Sequence, residues 1–524
     1  MAIAAVIAFK LWLVHDEEIV GSATQYDALW YIRSASHWYW GTPYGWTAFI
    51  RPCAYPLWIA LIHLLHLPLR LAIELLQIGG ALVLIIALLK VGVSRAIALL
   101  SFVLIALHPA GFQLNDYSMS DTFYAGLLWY VLGGLLLTIV SRHWWVAALT
   151  GASIAILWNT REEGLLLVAI VLAWWTIFFL SETRRHQSRA IAFRTTVRPL
   201  IIVCLCALLG IVGVYSCNYA VFRSFARSEM NAPAFQGLFH SLLRIKPTEP
   251  KRYAPITMST LSQAFVVSPT FTRLRPQFES PMGESWRVES FRRVGVQNEI
   301  GAGWIVWATR QCADAKGYFS TPTKAHKFFK KAAKEINLAC DDGRLRTRFV
   351  IDGFLDPLAQ SGGIAALPHS AKRVAARFVA RWSITSIVDD EILTAEETAL
   401  YNEMARRHSA GVGPRKGVAF AVEHFIGRYY FCLSIILHLV ATLAVIFLLL
   451  NRGKGNAVSG CRDAILLLGC AVLLRAFLFA WLDATAFDGT EDRFLFPILT
   501  IWMVVLMLSV GWALEARQLA PNDP

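Results

Sequence analysis

Long apolar runs, each closed by Arg, Lys or His, recur along the chain. They are Met1–Val14, Leu69–Leu89, Ile97–Phe112, Thr122–Val140, Trp144–Trp158, Gly164–Leu180, Pro199–Phe222, Tyr429–Leu450, Ala464–Leu482 and Phe494–Leu514. Most approach the ~20 residues needed to cross a bilayer core. The pattern therefore predicts an all-α polytopic membrane protein with about ten transmembrane helices. Met1–Val14 is short and carries Lys10; a cleaved signal peptide is not expected there, because its start lacks charge and no small-x-small site precedes His15. Cys53–Leu67 has the length of a re-entrant or interfacial segment rather than a span.

Basic residues in short loops accumulate on the cytoplasmic side. Lys90 with Arg95, Arg142 with His143, the runs Arg184–Arg198 and Arg452–Arg462, and Arg517 then mark one face. The opposite, extracytoplasmic face is expected to receive residues 15–52, Gln113–Asp121, Asn159–Glu163, the large region 223–426, and Asp483–Arg493. Most candidate catalytic side chains fall on that second face. Three blocks follow: an N-terminal transmembrane module (1–222), a soluble domain (223–426) and C-terminal transmembrane helices (427–524).

Composition agrees with membrane insertion: 56% of residues are hydrophobic and 16% charged, against about 25% charged in a soluble domain. The net charge of +13 is partly an orientation signal, and no nucleic-acid partner is expected. No CxxC pair, Walker loop, GxGxxG or HExxH occurs, which removes the chemistries those motifs carry.

The 223–426 region holds ten more Lys and Arg than Asp and Glu, so it presents either a solvated basic surface or one that meets anionic lipid head groups or an acidic acceptor. Thr321-Pro322 followed by Ala325, Phe328, Phe329, Ala332, Ala333 and Ile336 predicts a capped amphipathic helix closed by Gly343. Thr394 and Glu397 predict a capping box opening a second helix toward Arg407. The domain is expected to be mainly helical. Its two interior cysteines, Cys312 and Cys340, are expected to form a disulfide in an oxidising compartment.

The candidate chemistry sits in the first external loop. Asp16, Glu17, Glu18 and Asp27 lie among Tyr26, Trp30, Tyr31, Trp38, Tyr39, Trp40, Tyr44 and Trp46. Such rings anchor helices at the membrane interface, and they also stack on sugars. Asp27, Tyr31 and Ala35 form D-x-x-x-Y-x-x-x-A, and Arg51, Tyr55 and Pro56 form R-x-x-x-Y-P. Ser120-Asp121 then opens a span, Thr160-Arg161-Glu162-Glu163-Gly164 makes a turn, and Arg493 to Pro497 enters the last span. This order resembles the GT-C superfamily of polyprenyl-phosphate-sugar-dependent glycosyltransferases, mannosyltransferase-like members included. The resemblance covers the spans to about Phe222 and, more weakly, the last three; 223–426 has no counterpart in it.

The resemblance implies a glycosyltransferase moving a sugar from a polyprenyl-phosphate donor to a glycan, lipid or protein acceptor at the extracytoplasmic surface. A carboxylate would take the acceptor proton, with Asp27 the first choice and Asp16 or Glu17 the second. Arg161 and Arg493 would hold the donor phosphate, and Asp121 would orient the acceptor or assist a metal. Each has a structural alternative: Arg161 pairing with Glu162 or Glu163, Arg493 pairing with Asp492, and Asp121 serving as a helix-terminal carboxylate. No cofactor is called for, and a divalent metal stays open because members of the family differ in using one.

Other classes compete. A transporter or flippase would also be polytopic, although few charges (Lys10, Glu74, Arg475) lie within the predicted spans. An O-antigen polymerase or ligase-like enzyme would rely instead on His240, Arg244, Arg310 and His326 of the large loop. A non-catalytic assembly subunit would use the basic domain for docking.

Overall fold

The computed structural model describes residues 1–23, 27–141, 143–301, 303–350, 363–380, 382–408, 412–450 and 459–518. Tyr26, Arg142 and positions 451–458 of the Arg452–Arg462 segment lie outside them. Among the described residues the chain is all helix, with isolated β-bridges only.

The N-terminal half runs α1 (Ala2–Leu13), α2 (Ala28–Ser36), α3 (Ala54–Leu64), α4 (Leu69–Lys90), α5 (Arg95–Ala106), α6 (Pro109–Leu114), α7 (Ser120–Ser141), α8 (Trp144–Trp158), α9 (Gly164–His186) and α10 (Arg189–Phe222). Then come α11 (Pro233–Arg244), α12 (Met258–Val267), α13 (Arg275–Phe278), α14 (Pro281–Val294), α15 (Trp304–Ala315), α16 (Pro322–Asp341), α17 (Gly363–Arg377) and α18 (Ala395–Ala405). The chain continues through α19 (Val418–Leu450), α20 (Ser459–Thr485) and α21 (Asp492–Gln518).

Eight of these stretches are long and apolar enough to cross a membrane: α4, the α5–α6 pair as Arg95–Leu114, α7, α9, α10, α19, α20 and α21. The protein is an integral membrane protein. Two of the ten expected spans, α1 and α8, are apolar helices of 12 and 15 residues, shorter than the ~20 residues a crossing needs. The Cys53–Leu67 segment forms the 11-residue α3.

Lipid offers no hydrophobic drive for helix association, so close approach must come from small residues. Helices α4 and α7 meet this way. A Cβ on Gly80 would lie 2.5 Å from the Gly126 carbonyl oxygen, and one on Gly133 would lie 2.8 Å from the Leu84 nitrogen. Helices α7 and α21 form the centre of the bundle, 78% and 83% buried, whereas α10 is 11% buried and lies at its edge.

The region 223–426 is helical but packs as two units. Residues from about Phe222 to Leu345 build their own core. There α16 turns Ala325, Phe328, Phe329, Ala332, Ala333 and Ile336 inward, each large side chain contributing roughly 1.5–3 kcal/mol on burial. The Thr321 hydroxyl caps this helix by accepting from the Lys324 N–H, and Gly343 takes the left-handed φ of 78° just beyond its end. Residues after 363 do not join that core. Val374 of α17, and Tyr401 and Met404 of α18, pack into the transmembrane bundle instead. The capping box of α18 is formed, with the Glu397 N–H donating to Thr394 Oγ1 at 3.2 Å and the Thr394 N–H to Glu397 Oε2 at 2.9 Å.

Cys312 and Cys340 are not bonded to each other; both are buried free thiols. Each belongs to the apolar inner face of its own helix, α15 or α16, and fills core volume there.

The lobe grips the first loop. Tyr39, Phe49 and Ile50 lie in its core. Arg310, fully buried, donates to the Trp46 carbonyl at 2.7 Å and the Ala48 carbonyl at 2.8 Å and is ion-paired with buried Glu229.

Candidate active site

The first loop delivers Asp27 as the residue that starts α2. Its φ of 67° is left-handed, and its carbonyl accepts from the Trp30 and Tyr31 N–H groups at 3.0 and 3.2 Å. Its carboxylate is ion-paired with Arg51. Arg51 also lies 3.7 Å from Glu162 and stands over the Trp307 ring at 4.8 Å. Burial opposes the Arg51 charge, but Asp27 and Glu162 outweigh it and hold this guanidinium above its ordinary pKa.

One helical turn past Asp27, the Tyr31 hydroxyl donates to Ser120 Oγ at 3.0 Å in a buried position. Burial pushes this phenol up to about 12, so it stays a donor across the physiological range. Ser120 and Asp121 open α7. Arg161 donates to Asp121 at 2.6 Å, to Ser120 at 3.4 Å and to Glu163 at 2.9 Å. Burial works against its charge too, yet Asp121 and Glu163 raise the Arg161 pKa.

Two further arginines complete the layer. Arg493, near the start of α21, lies 3.9 Å from Asp121 and 2.7 Å from Glu491. Arg475, fully buried in α20, is ion-paired with Glu163 and donates to the Phe494 carbonyl at 3.0 and 3.1 Å.

Asp27 at the start of α2, Asp121 at the start of α7, Arg161 after α8 and Arg493 at the start of α21 thus form two ion-pair groups, Asp27–Arg51–Glu162 and Asp121 with Arg161 and Arg493, bridged by Tyr31 and Ser120. Local pairing is only part of it: Arg161 does meet Glu163, but Asp492 is taken by Arg377 rather than Arg493. Sequence reasoning missed Glu162 as the partner of Arg51 and Arg475 as the partner of Glu163. For Arg475 there was a signal, since a charge inside an apolar run needs a protein partner.

The two second-choice acids lie elsewhere. Asp16 is 86% exposed and pairs with His15 at 3.0 Å, because α1 ends at Leu13 and leaves it in solvent. Glu17 is buried in a different cluster, ion-paired with Arg70 and with Arg415.

The large-loop residues do not form one centre. Arg310, Glu229 and His326 make a buried clasp, His326 lying 3.4 Å from Glu229. Arg244 pairs separately with Asn337 and Asp341 at the end of α11.

Among the described residues no group of three or more His, Cys, Asp or Glu is arranged to hold a metal ion. In the candidate layer the carboxylates of Asp27, Asp121 and Glu163 each face a guanidinium instead. What the layer offers is a carboxylate for a proton and guanidiniums able to exchange an internal carboxylate for an incoming phosphate. No protein-family model, curated protein or solved structure matches this chain, so the chemical reading rests on the residues themselves.

Proposed function

We propose that the protein is a membrane-embedded glycosyltransferase of GT-C type, moving a sugar from a polyprenyl-phosphate carrier to an acceptor hydroxyl at the extracytoplasmic surface. The carrying observation is that Arg161 and Arg493 both approach Asp121, while the Asp27–Arg51 pair is joined to them through the Tyr31–Ser120 hydrogen bond one turn along α2.

In this reading the bond from the anomeric carbon to the phosphate oxygen breaks as the acceptor oxygen bonds to that carbon. Asp27 takes the acceptor proton, and the bond electrons leave with the polyprenyl phosphate. Arg161 and Arg493 stabilise the departing charge, giving up part of their hold on Asp121 as they do so. Arg51 orients the Asp27 side chain in the resting state, and Glu162 lies 3.7 Å from Arg51. Membrane lipids, the lipid-linked donor and a glycan, lipid or protein acceptor are the partners.

The test is transfer of labelled sugar from a panel of polyprenyl-phosphate donors to endogenous acceptors in membranes carrying the wild-type chain or Asp27→Asn. A loss of ~100-fold or more, with the same amount of folded protein, supports the reading and names the base. Equal transfer removes Asp27 from the mechanism. No transfer from any donor favours the transporter or flippase reading, to which a second buried charge network, centred on Arg70, lends support.

A further inference from the structure

The second network lies where α1, α4, the α6–α7 linker and α19 meet. Its cations are Lys10, Arg70 and Arg415; its acids are Glu17, Glu74, Asp116 and Glu423. Their side chains are between 1% and 13% exposed. Lys10 lies 3.5 Å from Glu74. Arg70 reaches Glu17, Glu74 and Asp116, and Arg415 reaches Glu17, Asp116 and Glu423. His108, the remaining titratable group facing this cluster, is buried beside Lys10. Asn115 and Gln77 add only neutral hydrogen bonds.

Fully ionised, this set carries four negative charges against three positive ones. An unmatched charge in such surroundings costs several kcal/mol, and a carboxylate relieves it by taking a proton. The geometry indicates where. Glu17 and Glu423 share the Arg415 guanidinium, at 2.6 and 3.1 Å. Both reach the same guanidinium nitrogen, Nη1. Independently, Glu423 Oε1 is buried with no hydrogen-bond donor among the described residues. Two carboxylates crowded on one guanidinium nitrogen repel each other, whereas a carboxyl and a carboxylate can share one hydrogen.

We propose that this cluster is a proton-binding site, holding one exchangeable proton at neutral pH between Glu17 and Glu423. The site stands apart from the glycosyltransferase reading, since none of its residues belongs to the Asp27–Arg493 layer. It lies where a proton can report on helix arrangement. Arg415 ties the segment before α19 to the Phe112 carbonyl at 3.3 Å, and Glu17 follows directly on α1. Beyond Lys10, a cavity bordered by Glu74, Gln77, Gly111, Trp129 and Phe496 has room for about one water, a stepping point for exchange. Burial pushes neighbouring Asp116 up to about 7, Arg415 opposing and Glu17 adding to the rise, which agrees with a cluster that titrates near neutrality.

The experiment is infrared spectroscopy of the purified full chain in lipid nanodiscs, following the carbonyl stretch of a protonated carboxylic acid, which ionised carboxylates lack. Wild type should show the band at neutral pH, with a shift in heavy water and a loss of amplitude as pH rises. Glu423→Gln leaves three acids against three cations and should remove the larger part of the band, leaving what Asp116 contributes. Arg415→Gln raises the excess to two negative charges and should enlarge it, an effect that loss of packing would not produce. Asp483→Asn, a buried carboxyl elsewhere, should leave it unchanged. Absence of the band in wild type, its persistence at full amplitude in Glu423→Gln or its loss in Asp483→Asn overturns the proposal. The wild-type pH series needs no variant to fold.

Discussion

Two charge networks share one end of this bundle, and they differ in access. In the layer around Asp27, the side chains of Asp27, Arg51 and Arg493 are 16–24% exposed. In the cluster around Arg70, the Arg70, Glu74 and Asp116 side chains are 1–2% exposed. The first can lend its guanidiniums to a ligand, because water and incoming groups can replace a lost partner. The second can change state only by moving a proton or moving a helix. On the readings proposed above, similar residue types serve binding in one place and proton uptake in the other, and burial separates the two.

The largest expected effect breaks the sealed network. Arg70→Met removes the cation shared by Glu17, Glu74 and Asp116 and leaves buried acids unmatched, at a cost of about 3–5 kcal/mol. Thermal or denaturant unfolding in detergent measures it. A cost no larger than that of Asp27→Asn, which is expected to spare stability while removing activity, would erase the distinction between the two regions.

A middle-sized effect is on pH dependence. Asp116 is raised by burial from its ordinary 3.8 to about 7, so the folded state binds a proton that the unfolded state has released. Its contribution to stability is fully present below 3.8 and is lost as pH rises through about 7. The melting temperature should therefore fall across that window, and Asp116→Asn should flatten the fall; an unchanged slope in the variant would assign it to other groups.

The smallest effect is at the solvent edge. Asp16→Asn should change neither activity nor stability beyond ~0.5 kcal/mol, because among the described residues its ion-pair partner is exposed His15. A marked loss of transfer would restore Asp16 to the reaction and redraw the boundary of the exposed layer.

Much of this was legible in the sequence. Apolar runs mark spans because a bilayer imposes a length; the sequence assigned Asp27, Asp121, Arg161 and Arg493 to one expected face, and in the structure Arg161 and Arg493 both approach Asp121. Partner choice was not legible. Arg70 and Glu74, one turn apart, carried a local signal, but Glu17 meets Arg415 across nearly the whole chain. The division of 223–426 was hidden for a related reason. The stripes of α16 and α17 are both amphipathic, and nothing local says that one faces the lobe core while the other faces the bundle. The cysteines misled because compartment favours pairing but does not aim two side chains at each other.

The central position of α21 bears on biosynthesis. The helix most enclosed by its neighbours leaves the ribosome after every other helix described here, and it carries Arg493 at its start. Until it enters, the faces of α5 and α7 that it will cover must rest against lipid or an insertion factor, and Asp121 lacks one of its two arginines. Assembly of the candidate layer is thereby tied to completion of the membrane domain, so a chain stalled short of α21 would carry Asp27 and Arg161 yet lack Arg493 beside Asp121.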